Sequence, residues 1–573
     1  MEVSSPREPF GRPLRVALFL DSFLRPRWVE RVVRDIQTSG VASIVVVVRN
    51  EATAPPRTFW QKLVEKGPHL VRLLYERLDD RLFGRAGDPF RSVDLTPLLA
   101  GCAVEPVTPR MTKFCDYFPD EAIDRLVAYD VDVGVRFGFR ILKGRALTIA
   151  PHGVWSYHHG DNLVNRGGPP GFWETFEAHP ATGSVLQVLT EELDGGLVIY
   201  RSHAATDTRS VRRNKANYYA KSSAFLIRKL RELHAEGPGA LRDPFPPAEG
   251  WMGYSERLYV APTNLEMVAL LWRLGTRYLK EKLRELVTID QWVMLYRLSP
   301  RAAKGAPGCL PAVGGVPDQT MYRLVPIIPP KDRFWADPFP VYRDGRHYLF
   351  FEEYPYATAR AHISMMELGP DGRWGPVVEV LRRPYHLSYP FMFEWQGEWY
   401  MLPETGANRT VELYRATSFP HGWELDRVLL SGLHAVDATL AEIGGRWWMF
   451  VNVAEEGAFT WDELHLYHAP SPLGPWTPHR RNPVKSDVRN ARPAGRPFQQ
   501  DGVWYRPAQD CSVRYGYALV VNRIDRLDEE EYRETPVSKL LPNWLPDMMG
   551  THTINAAGGL TVVDAWIQRP RFR

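Results

Sequence analysis

Apolar and polar positions follow two different regimes along this chain. In the first, Leu14–Leu20 (LRVALFL) is a short apolar run, and residues 28–37 carry apolar side chains at helical spacing before Gly40. Residues 42–48 (ASIVVVV) are continuously apolar and rich in β-branched types, the pattern of a parallel strand covered on both faces. The opening therefore predicts a βαβ unit. The alternation continues with helices over 57–83 and 119–128, strands at 131–135, 153–159 and 183–190, and a basic helix over 212–235. Together these imply a doubly wound α/β domain over 13–238, preceded by a flexible tail at 1–12.

Residues 264–286 (NLEMVALLWRLGTRYLKEKLREL) repeat apolar residues at helical spacing with Arg and Lys on another face. Such a helix packs on a domain or lies on a membrane surface. Packing is the expectation, because amphipathic helices usually bury their apolar stripe. The Pro- and Gly-rich stretch 299–320 reads as a loop, so 239–320 is expected to be a helical linker.

The second regime is a repeat. A turn glycine precedes an aromatic or apolar strand five times, at Gly345, Gly397, Gly445, Gly502 and Gly559. Their spacings of 52, 48, 57 and 57 residues each suit one four-stranded blade. The D-G and G-G pairs are the chemistry of tight hairpins. Residues 321–573 are thus predicted to form an all-β five-bladed propeller. Eight residues before each glycine stand Asp337, Tyr389, Asp437, Ala494 and Thr551; seven after stand Glu352, Glu404, Asn452, Gln509 and Trp566. Equivalent positions ring the axis, so the register predicts a polar axial pocket containing Asp337, Tyr389, Glu404 and Asp437.

Composition narrows the function classes. With 71 basic and 67 acidic residues the net charge is only +4, which argues against a nucleic-acid partner. Four scattered cysteines (Cys102, Cys115, Cys309, Cys511) form no CxxC pair, so neither a metal centre nor a disulfide framework is expected. The polar N-terminus lacks the apolar core of a leader, and no segment has 18 uncharged apolar residues. A cytoplasmic protein without a membrane span is the expectation; the oligomeric state stays open.

The segment GVWSYHHGDNLVNRGGPPGFWETF, followed by TGSVLQVLTEELDGGLVI, resembles the core of the formyltransferase family of methionyl-tRNA and sugar-amine N-formyltransferases. His158 matches the family's His, Arg166 and Gly167 its Arg-Gly, Thr182 and Gly183 its Thr-Gly, and Asp194 and Gly196 its Asp-x-Gly. The resemblance implies 10-formyltetrahydrofolate as cofactor. It also implies His158 as charge stabiliser or relay and Asp194 as orienting group and proton acceptor. Ser156 stands where the family has Asn, with a shorter reach; His159 and Asn162 lie close enough to substitute. A propeller replaces the RNA-binding barrel of the tRNA-specific members, which disfavours Met-tRNA.

The motif FWADPF around Asp337 is similar to the Asp-Pro motif of family 43 glycoside hydrolases, where the Asp is a general base. Residues 325–573 also resemble the N-terminal propeller region of glucosamine inositolphosphorylceramide transferases. These resemblances imply an enzyme that formylates an amino sugar or glycan precursor, with the propeller holding the carbohydrate or nucleotide sugar. The alternative is a glycan-binding or glycan-processing protein whose formyltransferase-like domain is repurposed or inactive.

Overall fold

In β1 (Leu14–Leu20), Leu14, Val16, Leu18 and Leu20 join one apolar cluster while Ala17 and Phe19 join another, because successive strand side chains leave opposite faces. A strand buried on both sides needs a layer above and a layer below. A computed structural model of the chain describes residues 10–52, 66–84, 87–164, 166–192, 195–246, 258–298, 321 and 323–572. They divide into two units: residues 1–275 with 455–458, and residues 276–454 with 459–573.

The first unit continues through α1 (Arg27–Thr38), β2 (Ala42–Asn50), α2 (Leu70–Phe83), β3 (Ala103–Val107), α3 (Asp120–Val127), β4 (Val133–Arg136) and β5 (Val154–His158). It ends with α4 (Phe172–Glu177), β6 (Ala181–Val188), β7 (Leu197–Ala205), α5 (Val211–Ser222), α6 (Phe225–Glu236) and the start of α7 (Asn264–Val287). The sheet order is β7-β6-β5-β4-β1-β2-β3. β1 pairs in parallel with β2 and β4, β4 with β5, and β2 with β3, whereas β6 runs antiparallel to both β5 and β7. α1 buries Val29, Val32, Val33 and Ile36 on one face of the sheet. α3 buries Ala122, Ile123 and Leu126 on the other. Each fully buried Val or Ile contributes about 1.5–3 kcal/mol, so the doubly wound layering is anchored from both sides. Strand order reverses between β2 and β4 around β1, and in such sheets ligand crevices lie beyond the carboxyl ends of the strands near that reversal.

The second unit holds five sheets of four or more strands. Blade one is Arg333–Arg343, Arg346–Pro355, His362–Leu368 and Val378–Leu381; blade two is Ser388–Trp395, Glu398–Glu404, Thr410–Ser418 and Gly422–Ser431. Blade three begins with His434–Ile443 and Arg446–Ala454, and blade four with Phe498–Gln500 and Val503–Asp510. All five glycine turns are hairpins with two left-handed residues: Asp344-Gly345, Gln396-Gly397, Gly444-Gly445, Asp501-Gly502 and Gly558-Gly559. Such a turn matches the twist of the flanking strands.

Blade five corrects the expected boundaries. Its third strand β8 (Thr288–Leu298) pairs along its whole length with β9 (Leu560–Pro570), the blade's second strand, and carries the outermost strand Val325–Ile327 on its other side. The stretch 239–320 is therefore no separate linker: its first part packs with the α/β unit and β8 completes the last blade. Joining early and late strands in one blade closes the ring and leaves no free sheet edge at the seam. The loop at 299–320, the tail at 1–9 and the N-terminal part of the 57–83 helix lie outside the described residues.

Candidate functional site

The inner strands of blades one to three share one irregularity. Pairing with the second strand slips between Ala336 and Phe339, between Ser388 and Phe391, and between Val436 and Thr439. The first of the two residues inside each slip, Asp337, Tyr389 or Asp437, has a left-handed backbone, with φ of 51°, 44° and 56°. Such bulges re-aim a side chain, and left-handed non-glycine residues cost about 1 kcal/mol or more each. The three predicted axial positions are thus equivalent in geometry as well as in sequence.

Asp337, Tyr389 and Asp437 are all buried, and each accepts a defined set of bonds. Asp437 takes a two-pronged contact from Arg492, Nε to Oδ2 at 2.5 Å and a terminal nitrogen to Oδ1 at 3.2 Å, plus Gln509 Nε2 at 2.9 Å. The same guanidinium lies 3.6 Å from Glu404 Oε2 and over the ring of Tyr515. The Tyr389 hydroxyl meets Thr439 Oγ1 at 2.8 Å and accepts from the Gly495 amide at 2.7 Å. Thr553 Oγ1 donates to Asp337 Oδ1 at 2.6 Å.

Burial and the neighbouring Asp437 push the Glu404 carboxyl up to about 8, against the pull of Arg492 and His386. Burial likewise lifts Asp337 to about 7, with His552 opposing and Asp437 and Glu352 adding. Burial works against charge on His552, yet Asp564 and Asp337 outweigh it and raise the imidazole to about 9. His386 is raised to about 9 despite burial, through its contact with Glu352 at 3.2 Å. Near neutral pH Glu404 therefore holds its proton beside the Arg492-clamped Asp437. That is the pairing that general acid and base chemistry on a glycosidic bond requires. The Glu404 side chain keeps 14% exposure and His386 34%, against 1% for Asp437, so Glu404 and His386 form the accessible side.

Sequence periodicity placed Asp337, Tyr389, Glu404 and Asp437 together, and the fold brings them together. It missed Arg492, His386 and blade five's pair. There Trp566 is not the inward residue: His552 Nδ1 meets Asp564 Oδ2 at 2.5 Å, and Asp564 Oδ1 accepts from the His552 and Thr553 amides. Trp292 of β8 stacks on His552 at 3.9 Å. Asp337, His552 and Asp564 offer three donor atoms within 4.8 Å of one another, a set no cysteine or histidine spacing announced. Within the group His552 lies between the two carboxylates, with Asp564 at 2.5 Å and Asp337 at 3.8 Å.

In the α/β unit, His158 ends β5 and lines an open cleft with Arg136, Lys143, Gln187, Thr190 and Glu192. Ser156 is buried; its hydroxyl accepts from Arg136 Nε at 3.1 Å and donates to the Tyr157 carbonyl at 3.3 Å. His159 does not join the cleft. Its ring stacks on Tyr219 at 3.6 Å beside Trp28 and Tyr157, and burial drives its basicity well below normal. Asn162 is buried and donates to Gln187 Oε1 at 2.7 Å. Gly167 has φ of 93°, and a Cβ there would lie 2.0 Å from the Tyr259 carbonyl oxygen. Arg166 pairs with Leu258 through its backbone, and Asp194 lies outside the described residues. Thr182 bonds Thr206 and Asn214 and ties β6 to α5. Asp161, which the motif did not single out, binds His203 Nε2 at 2.9 Å and Arg201; those bonds outweigh burial and hold it at about 2.

Fold and site together define a two-part protein: a doubly wound α/β unit and a five-bladed propeller with a buried cluster of paired carboxyl and basic groups at its axis. Residues 328–545, which carry Asp337, Glu404, Asp437 and Arg492, match the family described as glucosamine inositolphosphorylceramide transferase 1, N-terminal. Glucosamine inositolphosphorylceramide transferase 1 of Oryza sativa subsp. japonica is 38% identical over 209 residues, 36% of this chain and 28% of the relative. The Arabidopsis thaliana protein of the same name is 38% identical over 208 residues, 36% of this chain and 27% of the relative. This chain thus spans little more than a quarter of the length of those relatives. A family 117 glycoside hydrolase from Zobellia galactanivorans aligns over 48% of this chain and 90% of its own at 13% identity and a TM-score of 0.30. Glycinamide ribonucleotide transformylase 1 from Symbiobacterium toebii aligns over 42% of this chain and 92% of its own at 16% identity and a TM-score of 0.24.

Proposed function

We propose that this is a glycan-processing protein whose propeller binds a sugar at the axial pocket, and whose formyltransferase-like unit no longer transfers formyl groups by the family's route. One observation carries the first part: Glu404, accessible and raised to about 8, faces the Arg492-clamped Asp437 carboxylate. Glu404 supplies the proton to the departing sugar oxygen while the hydroxyl of a water or acceptor molecule bonds to the anomeric carbon and gives its own proton to solvent. Asp437 stabilises the positive charge that develops on the ring, and Asp337 adjusts the field between them. The names of the plant relatives favour an amino sugar or a sugar-linked inositol phosphate as the bound group.

The second part rests on Ser156. Its hydroxyl is spent on Arg136 and a backbone carbonyl, so the position of the family's Asn presents no donor to the cleft. Binding of 10-formyltetrahydrofolate beside His158 without turnover is compatible with this reading.

The test is saturation-transfer NMR with glucosamine, inositol phosphate and glucosaminyl-inositol phosphate against the full chain and its Arg492→Lys variant. Sugar contacts that vanish in the variant support the proposal. Contacts that persist unchanged, or formyl transfer by the wild-type chain without any sugar contact, would overturn it.

A further inference from the structure

Helix α7 has two apolar faces, and among the described residues one of them packs in an apolar cluster while the other is exposed. Met267 and Leu270 are buried in a cluster with Phe172, Trp173, Phe176 and Tyr259, and Leu271 and Leu274 pack against it. On the opposite side Leu265, Val268, Trp272, Leu279, Leu283 and Leu286 are 54–85% exposed. At 100° per residue these six fall within one narrow stripe running the length of the helix. The burial expected for its apolar residues thus holds for one face alone.

The neighbouring α2 repeats the arrangement. Val71 and Tyr75 pack on the same cluster, while Leu70, Leu74, Leu78 and Leu82 recur every fourth residue and are 51–63% exposed. The two helices are tied at their starts: Asn264 Oδ1 accepts from the Val71 amide at 3.0 Å, and its Nδ2 donates to the Gly67 carbonyl at 2.7 Å. Side by side on one cluster, they turn two leucine stripes outward. Among the described residues of 66–83 and 264–287, the exposed bases are Lys66, Arg77, Arg81, Arg273, Lys280 and Lys282, against Asp80, Glu266 and the 43% exposed side chain of Glu285, which pairs with Lys282 at 2.6 Å.

We propose that this face docks on the surface of an anionic lipid bilayer, with α2 and α7 lying in the plane of the interface. Exposed leucines flanked by bases, with a 75% exposed Trp272 among them, are the chemistry that buries in the headgroup boundary while Lys and Arg meet anionic headgroups. A second copy is the poorer occupant, because an isologous contact would bring the same six bases against one another. Spanning is excluded for these helices, since no described helix is long and apolar enough.

Co-sedimentation of the full chain with phosphatidylcholine vesicles, with and without phosphatidylglycerol, tests the assignment, with light scattering to read the oligomeric state. Binding is expected only with the anionic lipid, weakening as salt rises. The triple variant Leu265→Glu, Trp272→Glu and Leu279→Glu, all at exposed positions, should unfold at the wild-type temperature and bind at least about tenfold more weakly. Absence of wild-type binding, or equal binding by the variant, would overturn the proposal. So would a wild-type dimer that the variant abolishes without any vesicle binding. No sugar enters the measurement, so its outcome is independent of the glycan proposal.

Discussion

Arg492 and Asp437 form a closed pair in the propeller interior, with side chains only 7% and 1% exposed. Two nitrogens of one guanidinium face two oxygens of one carboxylate. Such a pair contributes little net stability over an apolar substitute, but breaking it strands a buried charge. Arg492→Ala is expected to lower the unfolding free energy of the propeller by about 3–5 kcal/mol, read by urea denaturation. A change below about 1 kcal/mol would mean that another cation replaces it.

Glu404 can donate a proton only while it holds one. With its carboxyl raised to about 8, sugar processing should be steady near neutrality and decline as pH rises through about 8. Glu404→Gln should keep sugar binding and lose turnover by about a hundredfold or more, with the alkaline limb gone from whatever rate remains. A pH–rate profile of both proteins decides this.

Four ionisable groups bend stability in one direction. His386 and His552 rise from 6.5 to about 9 on folding, so their contribution is complete below 6.5 and is lost as pH climbs through 9. Asp337 and Glu404 are raised to about 7 and about 8. The folded chain therefore also binds more protons than the unfolded one between their ordinary values near 4 and those figures. By linkage, stability falls with rising pH across both windows. Thermal unfolding between pH 6 and about 9.5 should show a falling midpoint, and His552→Asn should flatten the upper part of the slope. A midpoint that rises over this range would contradict the assigned charges.

How much of this was legible in the sequence depends on how local each signal is. The five hairpins were readable because a two-residue glycine turn is encoded in adjacent positions, and the spacing then fixed Asp337, Tyr389 and Asp437. β8 was not: TIDQWVMLYRL has no glycine turn beside it, and its partner β9 comes at the far end of the unit. Arg492 and His552 escaped because the inner strands of blades four and five are short and irregular, and Asp564 because it sits on β9 two residues before the repeat position at Trp566. Asp161 escaped for the same reason as β8: Arg201 and His203 are its neighbours only once β7 lies two strands from β5. His159 misses the cleft because it follows the end of β5 and its ring turns into the aromatic group of Tyr219, Trp28 and Tyr157.

Gly167 tests the α/β unit separately. Its φ is left-handed, and a methyl group on its Cα would sit 2.0 Å from the Tyr259 carbonyl oxygen, so there is no room for a side chain. Gly167→Ala should destabilise the first unit by about 1–3 kcal/mol and leave the propeller's unfolding transition unmoved in differential scanning calorimetry.

His158→Ala separates the two chemistries. His158 lines the cleft of the first unit, while the proposed sugar chemistry uses Glu404, Asp437 and Asp337. The variant is expected to keep sugar turnover within about twofold of wild type. A loss comparable to that of Glu404→Gln would place the reaction in the α/β unit instead.

The seam between β8 and β9 also dictates when this protein is finished. Thr288 pairs with Pro570 and Leu298 with Leu560, so the edge of β8 that faces β9 stays open while blades one to four are synthesised behind it, with only Val325–Ile327 on its other side. Contacts this distant in sequence form late and slowly, and until they form TIDQWVMLYRL is an open apolar edge available to any passing strand. A ribosome stalled between the end of the α/β unit and β9 would therefore hold a chain whose first unit is complete and whose propeller is not yet a ring.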